Sequence, residues 1–178
     1  KSYGIKSYEF PPYGRAITQF GMQKIKNYTT DDLHLSWDVP YEPGILEVVG
    51  YINGEEVCRC VRKTVGEPVK LELSVYNEPR MKADGLDVAQ IEICALDKDG
   101  NFVPFADTNI HVDVEGAGTL LAFDNGNPRD SSGYRVNEKR LFNGRALLIV
   151  RSKQEAGVCT VRTTGTGMET QVLQIEVC

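Results

Sequence analysis

The stretch that decides the fold is VKLELSV, residues 69–75. Apolar side chains occupy every second position and polar ones stand between them, which is the pattern of a strand with one buried face. The same alternation returns in residues 33–39, 110–115 and 173–177. Strands of parallel sheets are buried on both faces and lose the polar alternation, so the periodicity predicts antiparallel strands.

Turn dipeptides separate these segments, and Asn-Gly and Asp-Gly reach the positive φ angles that tight hairpins require. The candidates are Pro43-Gly44, Asn53-Gly54, Asp84-Gly85, Asp99-Gly100, Asn125-Gly126, Asn143-Gly144 and Ala156-Gly157. The best helical candidate, residues 16–26, contains Gly21 and β-branched residues that weaken a helix. We therefore predict an all-β chain of tandem antiparallel, Ig-like β-sandwich domains.

A domain boundary is expected near Val65-Gly66-Glu67-Pro68, because Pro68 lacks the N–H that a sheet ladder needs and an alternating strand follows it. Residues 67–178 suffice for one Ig-like sandwich, which takes about 100 residues. Residues 1–66 are short for such a fold, and the chain begins with Lys. We expect residues 1–66 to be a partial β-sandwich domain from a processed or fragmentary chain.

Composition excludes several functional classes. The 178 residues carry 20 Lys+Arg against 25 Asp+Glu, a net charge of -5, so no nucleic-acid partner is expected. The longest apolar runs, such as residues 146–150, are too short to span a bilayer. A (β/α)8 barrel needs about 250 residues. With only 2 His, a histidine-based zinc motif is not expected either.

A longer motif occupies residues 35–51, LSWDVPYEPGILEVVGY. It resembles the W-x-V-P-Y-x-P-G-x-L-x-x-x-G-Y stretch of a β-sandwich domain in bacterial glycoside hydrolase family 2 proteins, where that domain follows the catalytic barrel. The second half of the chain resembles the Ig-like module that comes next in the same proteins. Its matching segments are residues 83–85, 91–93, 97–101, 124–126 and 142–146.

The resemblance implies a non-catalytic C-terminal accessory region of a β-galactosidase-like, retaining enzyme. Such a region would brace the barrel and shape substrate access or oligomer contacts. Like other retaining glycosidases, family 2 enzymes use two glutamates, an acid/base and a nucleophile, which the strands of their catalytic barrel carry. No barrel motif is present, so no catalytic residue and no cofactor is assigned. The glutamates considered, Glu47, Glu55, Glu72, Glu92 and Glu176, are expected on solvated strand positions or turns.

Two alternatives remain open at this point: a carbohydrate-binding module, and an Ig-like segment of a bacterial surface adhesin. Aromatic residues that would serve a carbohydrate platform, or packing against a neighbouring domain, are Tyr3, Tyr8, Phe10, Tyr13, Phe20 and Tyr28. Trp37 is expected to pack in a structural corner, with sugar stacking as its alternative.

The expected partners are the catalytic and upstream domains of the full-length enzyme to which this chain would belong, called the parent below. If the first sandwich is incomplete, its unpaired strand edges should also drive self-association. The parent is expected to be exported, periplasmic or extracellular in a bacterium, because enzymes that attack external glycans work outside the cytoplasm.

Residues 97–101, DKDGN, have the look of a calcium loop, but their glycine stands at position four rather than six. A hairpin turn is the preferred interpretation, and a different calcium geometry that uses Asp97, Asp99 and Asp107 is the alternative. No metal site is assigned.

The cysteines are expected to be free thiols. Cys94 and Cys159 have a spacing near that of the immunoglobulin disulfide, but the inward set Ile91 and Ile93 would point Cys94 outward. Cys58 and Cys60 share a strand face as a metal half-site would, without a second pair of ligands.

Overall fold

The computed structural model describes residues 5–10, 15–20, 23–28, 41–52 and 55–178. Within these ranges every regular element is a strand, so the predicted all-β class is confirmed. None of these residues lies in a helix long and apolar enough to cross a membrane. The chain divides into two compact units, Lys1–Thr64 and Val65–Cys178.

The strands of the first unit are β1 (Ile5–Phe10), β2 (Arg15–Phe20), β3 (Gln23–Tyr28), β4 (Ile45–Ile52) and β5 (Glu55–Lys63). Strand β4 pairs in parallel with β1 and antiparallel with β5, and β2 pairs antiparallel with β3. The return strand predicted after Pro43-Gly44 is confirmed as β4. The described residues of the helical candidate, 16–26, belong to β2 and β3. Trp37 and residues 29–40 around it lie outside the described residues.

The strands of the second unit are β6 (Lys70–Val75), β7 (Arg80–Met81), β8 (Val88–Leu96), β9 (Asn109–Gly116), β10 (Gly118–Asp124), β11 (Glu138–Arg140), β12 (Arg145–Ser152), β13 (Gly157–Gly165) and β14 (Gln171–Val177). They form a sheet of order β10-β12-β8-β6 and another of order β11-β9-β13-β14-β7. Strand β7 pairs in parallel with β14, and the other pairs are antiparallel.

The facing sides of these two sheets bury one hydrophobic core. Phe123 and Ile91 of the first sheet and Val161 and Ile175 of the second are each 0% exposed. Burial of an apolar side chain of this size stabilises the fold by about 1.5–3 kcal/mol. The second unit is therefore a β-sandwich held together by the inward half of each alternating strand.

The predicted alternation places the right residues inside. Leu71 in β6 is 2% exposed, while Lys70 and Glu72 beside it are exposed. Ile110 in β9 and Val177 in β14 are each 1% exposed. The inward sets predicted for these three strands are confirmed except at Val69, which lies before β6 and is 42% exposed.

The Asn143-Gly144 hairpin is a tight two-residue turn of the sandwich. Both residues have positive φ, 51° and 74°, and the backbones of Phe142 and Arg145 exchange two hydrogen bonds across them. A Cβ atom added at Gly144 would lie 2.2 Å from the carbonyl oxygen of Val103. This position therefore needs glycine for its backbone angle and for the close approach of a neighbouring chain segment.

Candidate interaction surface

Strands β8 and β10 end on the same side of the sandwich. Both are antiparallel to β12, which lies between them. The connections that follow them, residues 97–108 and 125–137, therefore leave the same end, together with the hairpin at residues 141–144. We call these three segments the loop end. Loops held on a rigid sheet are where binding residues concentrate in proteins.

Asp97 organises the first connection from a buried position, 2% exposed. Its carboxylate accepts hydrogen bonds from the backbone N–H groups of Gly66, Asp99 and Asn101, and from the side-chain amide of Asn101. The Gly66 N–H makes the largest contribution in lowering the pKa of Asp97 to about 2. Donors of this kind keep a buried carboxylate ionised without a cation.

The aspartates of the alternative calcium site have separate partners. Asp107 forms an ion pair with Arg140, whose Nε also donates to the backbone oxygen of Asp107 at 2.9 Å. Within the described ranges no three His, Cys, Asp or Glu side chains are grouped as metal ligands would be. The Asp97 N–H bonds to the Asn101 carbonyl at 2.9 Å, which confirms the predicted hairpin turn.

An aromatic ring and an arginine link the first connection to the hairpin. The guanidinium of Arg145 lies 4.4 Å from the centroid of the Phe102 ring and also pairs with Glu92 on β8. A guanidinium over a ring face gains about 0.5–1 kcal/mol at an exposed site. The two segments are further joined by the Gly144 N–H, which bonds to the Ala106 carbonyl at 3.0 Å.

Two phenylalanines of these joined segments face solvent. Phe105 is 58% exposed and Phe142 is 36% exposed. Scattered apolar side chains are common on protein surfaces. Here two aromatic rings project from segments that hydrogen bonds hold side by side, which gives the loop end an apolar surface on a fixed frame.

The β10–β11 connection, residues 125–137, has no regular structure and is held by its own polar side chains. Asn125 is 9% exposed, and its side chain donates to the Arg140 carbonyl and accepts from the Asn127 N–H. The Asn127 side chain accepts in turn from the Arg129 N–H at 3.0 Å. Irregular loops of this length in compact domains are commonly functional.

Lys139 anchors the same connection from a buried position. Its side chain is 1% exposed, and its Nζ lies 3.0 Å from Oδ2 of Asp130 and 2.7 Å from Oγ of Ser132. The Ser132 hydroxyl and amide, followed by Lys139, hold the pKa of Asp130 well below its usual range. A buried ammonium persists only with such partners, since an unpaired charge in the interior is costly.

The sequence did not predict that Lys139 anchors this connection. Lys139 stands in the charged run Glu138-Lys139-Arg140, which normally indicates an exposed segment. The available signal was the stretch 125–137, where Asn, Ser and Gly replace the apolar alternation. That signal predicts a loop but says nothing of which side chain anchors it.

The considered glutamates lie apart from one another. Three form ion pairs with arginines: Glu47 with Arg59, Glu92 with Arg145 and Glu176 with Arg80. The side chains of Glu47 and Glu92 are partly covered, at 18% and 24% exposure, and that of Glu176 is 58% exposed. Glu55 and Glu72 are exposed on β5 and β6.

All five cysteines have free thiols in the structure. Cys159 is 0% exposed and Cys94 is 9% exposed, and burial raises the pKa of both thiols. Cys58 and Cys60 are exposed on β5. The side chains of the predicted aromatic platform, residues 3–28, lie outside the described residues.

Comparison with known proteins identifies the chain. The model described as glycoside hydrolase family 2 C-terminal domain 5 matches residues 71–174. A second model, a domain of unknown function (DUF4982), matches residues 13–58.

Curated relatives include the β-galactosidase BoGH2A of Bacteroides ovatus, 29% identical over 86% of this chain and 18% of that protein. A putative β-glucuronidase of Formosa agariphila is 31% identical over 76% of this chain and 13% of that protein. The chain thus spans less than a fifth of the length of these two relatives.

Solved structures agree with the fold. A glycosyl hydrolase family 2 member from Bacteroides cellulosilyticus is similar over 97% of this chain and 24% of that chain, with a TM-score of 0.81 and 25% identity. A β-glycosidase from Bacteroides vulgatus is similar over 99% of this chain and 25% of that chain, with a TM-score of 0.77 and 26% identity. With a family model covering more than half of its residues, the chain belongs to glycoside hydrolase family 2, in which residues 71–174 form C-terminal domain 5.

Proposed function

We propose that this chain is the non-catalytic C-terminal accessory part of a retaining family 2 β-glycosidase of β-galactosidase type. The observation that carries the proposal is the match of residues 71–174 to C-terminal domain 5 of that family. The names of the relatives, β-galactosidase and β-glucuronidase, agree with a parent that acts on β-linked sugars. The same match favours this interpretation over an Ig-like adhesin segment.

The role proposed for the chain is to brace the parent's catalytic domain and shape substrate access or oligomer contacts. The exposed rings of Phe105 and Phe142 at the loop end support this role, because burying them against another domain would remove apolar surface from water. The Asp97 turn and the Arg145 contacts hold those rings on a fixed frame, so docking would order little additional chain.

The catalytic part of the proposal is tested by assaying the purified chain on nitrophenyl glycosides of several sugars. No turnover is expected, because the proposal places the catalytic glutamates on the parent's barrel. Turnover that survives repeated purification and follows the chain through chromatography would overturn the non-catalytic assignment.

The bracing role is tested by Phe105→Ser combined with Phe142→Ser in the full-length parent. The double variant should lower the thermal midpoint of inactivation of the parent by more than it lowers the unfolding midpoint of the isolated chain, because Phe142 is partly covered within the chain itself. Tyr76→Ser is the matched control, since Tyr76 is 64% exposed and lies after β6, away from the loop end. An unchanged parent midpoint in the double variant contradicts bracing through this surface.

We further propose that β5 is the edge through which the chain self-associates. All nine residues of β5 are exposed, and none of the described strands pairs with its outer side. Long exposed edges recruit strands from other chains. Light scattering of the isolated chain at high concentration should show oligomers, and the double variant Val57→Lys with Val61→Lys should disrupt them. A strictly monomeric isolated chain would contradict the proposal.

The parent is proposed to be exported, since β-glycosidases that use external glycans act beyond the cytoplasm. Fractionation of cells that express the full-length parent tests this. Activity confined to the cytoplasmic fraction, with a periplasmic marker protein recovered separately, would contradict export.

A further inference from the structure

Tyr134 stands out in the polar connection 125–137 at the loop end. Its side chain is 64% exposed, although its neighbours in the connection are mostly Asn, Ser, Gly and Arg. This composition, a tyrosine among small polar residues and arginines, is that of recognition loops, where a rigid ring supplies contact area and short side chains supply hydrogen bonds.

The backbone around Tyr134 is fixed to both sheets. The Tyr134 carbonyl accepts a 2.7 Å hydrogen bond from the N–H of Phe123 in β10. Three residues later, the Asn137 carbonyl accepts a 2.8 Å bond from the N–H of Val112 in β9. The exposed ring therefore sits on a segment whose two ends are anchored to core strands.

The buried lysine lies near the Tyr134 ring. The Nζ of Lys139 is 6.0 Å from the ring centroid, at the outer limit of cation–π attraction. Because Lys139 is bound to Asp130 and Ser132, the cation near the ring has a fixed position. An aromatic surface ordered before binding loses little entropy when a ligand stacks on it.

The charge of the connection is opposite to that of the chain. Arg129 and Arg135 are exposed, and among the described residues neither guanidinium takes part in an ion pair. The carboxylate of Asp130 is already matched by Lys139. Two exposed arginines thus lie in the same connection as Tyr134, in a chain of net charge -5, and guanidinium groups are suited to a carboxylate ligand.

We propose that Tyr134 and Arg135 form a binding subsite for a carboxylated saccharide, with Lys139 as the positioning residue. The C–H face of a pyranose ring packs on the exposed face of Tyr134, and the sugar carboxylate pairs with Arg135, assisted by Arg129. Residues 125–137 by themselves lack the apolar centre that a protein interface of about 800 Å² per partner requires, since the exposed rings of Phe105 and Phe142 belong to the other two segments of the loop end. The subsite goes beyond the bracing role and does not depend on it.

Calorimetric titration of the whole chain with tetragalacturonate and with neutral galactotetraose tests the subsite. Tetragalacturonate should bind more tightly than galactotetraose, and raised salt should weaken it, because the carboxylate contact is ionic. Tyr134→Ala should weaken binding about tenfold, the amount expected for the loss of one stacked ring. Tyr134→Phe should restore it.

Matched variants separate binding from folding. Tyr76→Ala removes a tyrosine of the same 64% exposure beyond the opposite edge strand, β6, and should leave binding unchanged. Arg135→Gln should weaken tetragalacturonate several-fold and galactotetraose hardly at all. Lys139→Met should weaken the binding of both ligands. The circular dichroism spectra of Tyr134→Ala and Tyr76→Ala should match the spectrum of the unmodified chain.

Three results would overturn the proposal: no heat with either saccharide at millimolar concentration, equal affinity for the acidic and neutral ligands, or binding that Tyr134→Ala leaves intact. None of these results bears on the nitrophenyl glycoside assay or on the stability of the full-length parent, so failure here leaves the accessory role untouched.

Discussion

The backbone N–H of Gly66 donates a 3.1 Å hydrogen bond to Oδ2 of Asp97. It joins the segment that leads into β6 to the turn that follows β8, two points 31 residues apart. The carboxylate that receives it is buried and has the pKa of about 2 described above. One ionised side chain therefore fixes both the entry to the sandwich and the first segment of the loop end.

The stability of the sandwich should fall in acid because of this group. The folded pKa of Asp97, about 2, is lower than the ordinary value of 3.8. A group with a lowered folded pKa stabilises the fold fully above its unfolded pKa, and the contribution disappears as pH falls towards the folded value. Thermal midpoints should therefore drop between about pH 4 and pH 2.

Asp97→Asn isolates that contribution. The variant replaces one acceptor oxygen by a donor that faces N–H groups, so it should have a lower midpoint at pH 7 and a flatter dependence on pH below 4. Asp99→Asn, at an exposed neighbour in the same turn, is the control. Equal acid profiles for Asp97→Asn and the unmodified chain would show that other carboxylates govern the transition.

Gly144→Ala should be strongly destabilising. The new Cβ would lie 2.2 Å from the Val103 carbonyl oxygen at a φ of +74°, so steric overlap adds to backbone strain. We expect a loss of about 3 kcal/mol or more in the free energy of unfolding, measured by urea titration.

Gly126→Ala is the matched control for that variant. Gly126 has a similar φ of +71°, with nothing within 4 Å of an added Cβ. It should lose only about 1–2 kcal/mol, the strain of a left-handed backbone. Equal losses at the two glycines would mean that the close approach to Val103 costs nothing.

Phe123→Ala and Phe105→Ala should separate core from surface. Phe123 is 0% exposed in β10, whereas Phe105 is 58% exposed. Removal of the buried ring should reduce the free energy of unfolding by about 3–5 kcal/mol. Removal of the exposed ring should change it by less than about 0.5 kcal/mol in the isolated chain. A large loss at Phe105 would show that its ring has a structural role within the unit.

Thiol chemistry should divide the cysteines into two classes. Cys58, Cys60 and Cys178 are exposed, and Cys94 and Cys159 are buried. The buried pair, with raised pKa values, offers little thiolate to a reagent. Ellman's reagent should titrate three thiols rapidly in the folded chain and five in denaturant. Five rapid thiols at neutral pH would contradict the buried positions.

Periodicity predicted the strands whose faces differ in polarity. Alternation located β6, β9 and β14 and their inward residues, because a half-buried strand imposes a period of two on its sequence. Pro43-Gly44 likewise located the start of β4. Periodicity carries no information about which strands become neighbours, so the parallel pairing of β7 with β14 was not foreseen.

The candidate sites were harder to predict than the strands. The sequence predicted that Asp97 is part of a turn. It did not predict that the N–H of Gly66, 31 residues away along the chain, donates a hydrogen bond to the buried Asp97 carboxylate. Lys139 was invisible for the same reason, since its interior position depends on Asp130 and Ser132 meeting it in space. Long-range polar pairing leaves no period in a sequence.

The Asn143-Gly144 hairpin also sets how the chain ages. Deamidation of an Asn-Gly pair needs the glycine amide nitrogen to reach the side-chain carbonyl carbon of the asparagine. Asn125 keeps both ends of its amide engaged and is almost covered, which hinders that attack. Asn143 is exposed at a tight turn. Of these two Asn-Gly pairs, Asn143-Gly144 should therefore gain negative charge first, beside Phe142, at a rate limited by the hydrogen bond from the Gly144 N–H to the Ala106 carbonyl.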